Sequence, residues 1–113
     1  MTGQVNAEVA GATYVGAVGG APDFLEGANR SRGGMPIIAL PSTAGEGAKT
    51  KTRIVSRLSG PVSTPRSNVG IVITEHGAVD LRGLSIHERI PKMISLAAAG
   101  FREQLAREAF DIG

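Results

Sequence analysis

Two short apolar runs constrain the fold more than anything else in the sequence: "MPIIALPST" at positions 35–43 and "VGIVITEHG" at 69–77. The second is rich in β-branched residues and stops at Gly77. The first is bounded by proline on one side and Ser-Thr on the other, as a buried central strand would be. Runs this short, apolar at both alternating positions, suit a sheet covered on its two faces. Helix signals follow them. Ser85 and Glu88 stand at capping-box spacing, and Ile86, Ile90, Met93, Ile94 and Ala97 recur on one helical face. Pro91 falls inside that pattern and is expected to kink or split the helix near Ile90. After Gly100, "FREQLAREAF" aligns Phe101, Leu105 and Ala109 on a last helix. Strands early and helices late predict an α/β domain with a mixed, mostly buried sheet and flanking helices.

The remaining segments are shorter. "QVNAEVA" (4–10) alternates apolar and polar residues and predicts a short strand. "APDFLEGANR" (21–30) predicts a short helix, with Pro22 in its first turn, Asp23 and Glu26 near its start and Gly27 ending it. "AGEGAKTK" (44–51) is expected to be a flexible polar loop and "TRIVSRL" (52–58) a strand, with Ile54 and Leu58 four apart and Val55 on the other face. "RSRGG" and the proline-bearing "SGPVSTPRSN" are loops.

A chain of 113 residues fits one domain with a modest core. With one tyrosine, three phenylalanines and no tryptophan, that core must be aliphatic. There is no cysteine, and His76 and His87 lack ligand spacing, so a metal centre is not expected. No leader pattern or membrane-length apolar run occurs, which predicts a cytoplasmic protein away from membranes. Net charge is only +2, but Arg30, Arg32, Lys49, Lys51, Arg53 and Arg57 are locally dense. That density suits the phosphates of a small ligand, or merely a solvated face. With few aromatics to stack on bases, nucleic acid is not the expected partner.

The most suggestive local feature is "YVGAVGGAPDF" (14–24), three glycines within five residues ahead of a helix start. Such a turn can cradle an anion with backbone N–H groups, or can simply bend. Other motifs fail on spacing. "AGEGAKTKT" places Ala48 between Gly47 and Lys49 and so departs from a P-loop. "GAVGGA" lacks the dinucleotide pattern, and no GxSxG elbow exists for a serine nucleophile. Ser42, Ser56, Ser59 and Ser85 suit turns and caps. Glu8, Asp23, Glu75 and Asp80 lie on or beside predicted strands or turns, and each is either paired structurally or tuned for chemistry.

Together, "GQVNAE", "VGGAPDF", "GGMPIIALPSTA", "TRIVSRL", "VSTPRSNVGIVITEHGAVDLRG" and "FREQLAREA" resemble, in that order, the acetyl-CoA hydrolase/CoA-transferase family, from Gly3 to about Ala109. The resemblance implies a class I mechanism using coenzyme A as substrate and no metal. A glutamate carboxylate attacks an acyl-CoA thioester, CoA thiolate returns to form a glutamyl-CoA thioester, and a small carboxylate accepts the CoA. It implies that Gly20, the second glycine of "VGG", offers its N–H to the developing oxyanion. Gly19, Ser42, Thr43, Lys49 and Lys51 would meet CoA, Asn6 would lie near the acyl group, and the "SGPVSTPR" and "TEHGAVDLRG" loops near the cleft.

Two departures accompany these matches. The family's nucleophilic glutamate lies upstream of the "GQVNAE" segment, outside this sequence. Many relatives also carry a lysine after "STA", where this chain has Gly45. The family architecture is two facing α/β domains, and residues 1–113 correspond to the C-terminal part of the second. The N-terminal half of the enzyme is therefore an expected partner. Exposed apolar surface on the two runs is expected to drive homo-oligomer formation or binding of that half, and the chain alone is expected to be inactive. The competing expectation is a non-catalytic CoA-binding or assembly module that keeps the fold.

Overall fold

The computed structural model describes residues 1–112. Its centre is a three-stranded sheet of β3 (Ile37–Ala39), β6 (Ile71–Thr74) and β7 (Gly77–Asp80), in the order β3-β6-β7. The sheet is mixed, because β3 runs parallel to β6 while β6 and β7 form an antiparallel hairpin. The register places Ile37 beside Ile71 and Val72 beside both Ile38 and Val79. The central strand is thus β6, with Val72 and Thr74 buried on one face. "MPIIALPST" does contain a strand, but among the described residues it is an edge strand, with Ile37 47% exposed.

Two helices close the core face of this sheet, α2 (Ile86–Ser95) and α3 (Ala99–Ala109). The capping box forms as the sequence predicts: Ser85 Oγ accepts from the Glu88 N–H at 3.3 Å, and the Ser85 N–H donates to Glu88 Oε2 at 2.8 Å. Pro91 neither splits nor ends α2, which runs on to Ser95. The proline deprives only the carbonyl of exposed His87 of its helical partner, and water can serve that group. Met93, Leu96, Ala97 and Leu105 are buried with Val72, Leu81, Ile54 and Val69, while Ile90, Ile94, Phe101 and Ala109 pack around them. The Thr74 hydroxyl donates to the Leu96 carbonyl at 2.8 Å and fastens sheet to helices.

Other segments differ from expectation for local reasons. In "QVNAEVA", the Asn6 side chain accepts from the N–H groups of Glu8 (3.0 Å) and Val9 (3.1 Å) and donates to the Val9 carbonyl. This turn competes with strand pairing. What remains is one bridge, Val5 to Thr64, and the two-residue strand β1 (Val9–Ala10). β1 pairs with β2 (Thr13–Tyr14), and residues 11–20 are exposed throughout. Helix α1 (Ala21–Arg30) runs through Gly27 rather than ending there. It is held from below by Asn29 Nδ2, which donates to the carbonyls of Leu25 and Asn68 at 3.0 Å each. Gly33, at φ +70°, makes the exit turn instead.

The polar stretch after Ser42 is ordered, not loose. β4 (Thr43–Ala44) and β5 (Lys51–Thr52) form a small hairpin whose tip is a 3-10 turn, Gly47–Lys49. "TRIVSRL" is not a strand beyond Thr52. The Thr52 hydroxyl donates to the Ile54 carbonyl at 2.8 Å and accepts the Ile54 N–H at 3.1 Å, bending the chain so that Ile54 drops into the core. No helix among the described residues is long and apolar enough to cross a membrane.

Candidate functional site

The glycine segment feeds directly into α1. Gly19 holds φ +65°, a conformation that side chains disfavour, and Gly20 is the N-cap residue at φ −91°. No side chain caps this helix start. The first intrahelical bond runs from the Phe24 N–H to the Gly20 carbonyl at 3.2 Å, and Pro22 has no N–H. The N–H groups before Phe24 therefore have no helical acceptor and face outward at the positive end of the helix dipole. A Cβ on Gly20 would meet only the Phe24 ring, at 3.7 Å. Glycine at 19 serves conformation. Glycine at 20 leaves open approach to its backbone.

A second cluster joins the end of β3 to the β6–β7 turn. Ser42 is wholly buried, and its hydroxyl and N–H both donate to the Glu75 carboxylate, the latter at 2.9 and 3.2 Å. Donation by the Ser42 hydroxyl, then backbone N–H bonds, lowers the Glu75 pKa from 4.5 to about 2, and His76 Nε2, 3.5 Å away, adds a little. Glu75 is thus a fixed anion, half exposed to solvent. The other flagged carboxylates are also engaged: Glu8 accepts from the Ser63 hydroxyl at 2.8 Å, and Asp80 pairs with Arg82 at 2.8 Å. Hydrogen bonds from Arg82 hold the Asp80 carboxyl below its usual range. Asp23 is exposed in the first turn of α1.

Lys49 lies on the 3-10 tip of the β4–β5 hairpin and Lys51 on β5, both exposed. The hairpin is anchored by Arg53, whose N–H donates to the Ser42 carbonyl at 2.7 Å and whose Nε reaches the Thr43 carbonyl at 3.3 Å. Gly45 sits at φ +83°, and a Cβ there would lie 2.5 Å from the Lys49 carbonyl oxygen. The tip therefore folds back over position 45, and no side chain fits there.

A cavity of about 380 Å³ opens on the core side of the sheet between this hairpin and the N-terminal segment. It brings Asn6 and Lys51 together, with Leu40, Ala44, Ile54 and Met93 among its walls. Gly19, Gly20, Ser42, Thr43 and Lys49 do not line it. Asn6 already spends its side chain on its own turn, and Ser42 spends its hydroxyl on Glu75. The Ser42–Glu75 bond spans 33 positions, and nothing in the local sequence pairs those two residues. The signal available was a carboxylate at the end of a strand-like run.

Comparison with known proteins decides the family. The family model described as acetyl-CoA hydrolase/transferase C-terminal domain matches residues 1–109. The chain belongs to this family. The 4-hydroxybutyrate coenzyme A transferase of Clostridium kluyveri is 40% identical over 108 residues, covering 96% of this chain and 25% of that protein. The acetyl-CoA hydrolase of Schizosaccharomyces pombe is 34% identical, covering 92% and 19%. RipA from Yersinia pestis superposes with a TM-score of 0.88 at 44% identity, over 98% of this chain and 25% of that one. This acetyl-CoA hydrolase/transferase C-terminal domain thus spans about a quarter of the length of the relatives it matches. Their names cover both transfer and hydrolysis, so the family sets CoA thioester chemistry as the common ground.

Proposed function

We propose that this domain serves an acyl-CoA:carboxylate CoA-transferase or acyl-CoA hydrolase by supplying the glycine loop that stabilises the oxyanion and part of the CoA-binding surface. The observation that carries this reading is the uncapped start of α1, where Gly20 presents its backbone without a side chain in front of it. Negative charge forms on the thioester oxygen at each tetrahedral step, and a fixed N–H aimed there lowers that barrier. Pro22 keeps the first turn preformed, so little reorganises as charge develops.

Lys49 and Lys51 are the lysines that follow Gly45, the displaced family position, and they are assigned to CoA together with Thr43 and Gly19. Ser42 enters as a support that holds Glu75, and Asn6 as a support that shapes the cavity wall. Glu8 and Glu75 are both held by hydroxyl donors, which suits fixed anions better than a nucleophile. The attacking glutamate is accordingly assigned to a part of the enzyme outside these residues, and the domain works with that part as partner.

The test replaces the matching quarter of the C. kluyveri enzyme with this 113-residue chain. CoA transfer between acetyl-CoA and 4-hydroxybutyrate is then measured. Turnover by the chimera supports the assignment. A folded chimera that binds acyl-CoA without turnover overturns it and favours a non-catalytic binding or assembly module.

A further inference from the structure

Helix α1 is anchored by Leu25, which is 4% exposed. Phe24, one position earlier, is 82% exposed and belongs to no part of the apolar core. A lone exposed apolar residue needs no explanation by its exposure alone. Its neighbour makes this one different. Side chains in a helix lean back toward the N-terminus, and the Phe24 ring does so over Gly20. Apart from Gly20's own chain neighbours, only ring carbons Cε2 and Cδ2 lie within 4 Å of the point where a Gly20 Cβ would stand, at 3.7 and 3.9 Å. The Phe24 N–H donates to the Gly20 carbonyl at 3.2 Å, which fixes the ring's helical position against the loop. The uncapped helix start therefore has one side-chain wall, and that wall is hydrocarbon.

Such a wall separates two acceptors. In the reaction proposed above, the carbonyl carbon of the glutamyl-CoA thioester is open to a carboxylate oxygen or to water. With the carboxylate, CoA leaves as thiolate, attacks the acceptor's carbonyl carbon in the resulting mixed anhydride, and releases the glutamate carboxylate. With water, the oxygen adds to the same carbon and CoA leaves as a thiol. The glutamate carboxylate and one proton are then the other products. A water held for attack needs two to four polar partners, and beside Gly20 the ring supplies none. A carboxylate brings its own charge, and its hydrocarbon portion can lie on the ring.

We propose, resting on the oxyanion role of the Gly20 loop, that Phe24 is the apolar wall of the thioester pocket and the residue that favours CoA transfer over hydrolysis. The ring touches the thioester as it sits on the Gly20 N–H and keeps water from that side of the carbonyl carbon. Excluding water also strengthens the N–H bond to the developing oxyanion, because the local dielectric falls. The site is thereby committed to a carboxylate acceptor.

The C. kluyveri chimera carrying this 113-residue chain tests it. Two rates are read with acetyl-CoA: thiol release without acceptor, and transfer to 4-hydroxybutyrate. Phe24→Ala should raise the ratio of hydrolysis to transfer by about 10-fold or more. Phe24→Leu, which keeps an apolar wall, should restore most of the parent ratio. Because Phe24 makes no core contact, Phe24→Ala should leave the Tm of the 113-residue chain within about 4 °C of the parent. Gly20→Val separates the two readings, since it should depress transfer and hydrolysis together. A Gly20→Val chimera with full turnover overturns the oxyanion role and the wall with it. An unmoved Phe24→Ala ratio beside a Gly20→Val loss overturns the wall alone. In that case a lower Tm of the Phe24→Ala chimera places the ring against the rest of the enzyme instead of the substrate.

Discussion

Replacing Gly45 with alanine should be among the most damaging single-methyl additions in the chain, and its cost divides into two parts. Gly45 holds φ +83°, and a left-handed conformation costs an L-residue about 1–2 kcal/mol. The added Cβ would also sit 2.5 Å from the Lys49 carbonyl oxygen and 3.1 Å from its carbon. Ordinary carbon–oxygen contacts begin at about 3.3 Å, so the tip must retreat by about 0.8 Å. That retreat strains the bonds from the Lys49 N–H to the Glu46 carbonyl (3.0 Å) and from the Thr50 N–H to the Gly47 carbonyl (3.2 Å). Weakening one or two such bonds adds about 1 kcal/mol each. The total is about 2–4 kcal/mol, toward the lower end because the tip is exposed and can give. For a chain of this size that lowers Tm by roughly 8–17 °C.

Urea and thermal unfolding of purified chain provide the assay, with two controls that separate the parts. Gly47→Ala has φ +55° but nothing within 4 Å of its Cβ, so it should cost only the conformational part, about 1–2 kcal/mol. Gly20→Ala, at φ −91° with Phe24 at 3.7 Å, should change stability by less than about 1 kcal/mol. Gly45→Lys should behave like Gly45→Ala, since the clash is made by Cβ. A Gly45→Ala protein within about 0.5 kcal/mol of the parent, or less affected than Gly47→Ala, would refute the reasoning.

Three further outcomes are expected. In the chimera, Gly20→Val should reduce turnover by about 100-fold or more with a smaller change in acyl-CoA affinity, because the oxyanion exists only transiently; equal losses in both would indicate a collapsed loop instead. The isolated chain should release no thiol from acetyl-CoA at a useful rate, with or without acetate, and robust turnover would transfer the nucleophile's role to Glu8 or Glu75. The Glu75 carboxyl is held at about 2, below its ordinary 4.5, so its contribution to stability is complete above pH 4.5 and is lost as pH falls toward 2. Ser42→Ala should flatten that part of the acid-unfolding curve while preserving the order of transitions above pH 5, and an unchanged slope between pH 4.5 and 2 would show that Ser42 does not hold the carboxylate.

The elements legible in the sequence are those whose cause is local. The Ser85–Glu88 capping box, the apolar face of α2, the β-branched run of β6 and the glycine-rich approach to α1 all lie within a few residues of what they specify. The order of motifs along the chain was likewise enough to suggest the family that the comparisons then established. Where sequence expectation failed, a side chain had competed with the backbone. The amide of Asn6 and the hydroxyl of Thr52 each turn a strand-like pattern into a bend. Gly27 was misread for the opposite reason, because the Asn29 clamp sustains a helix through a residue that weakens it.

Tertiary structure alone decided which strand is central, which edge is open and which carboxylate is held. Local pattern cannot distinguish β3 from β6, since both are short apolar runs, and only pairing across 34 positions sets their order. Ser42 and Glu75 meet because the ends of those two strands come together, and the hydroxyl that suits a turn becomes the donor that fixes an anion. Sequence determines which groups can form a bond. The chain's return path determines which of them meet.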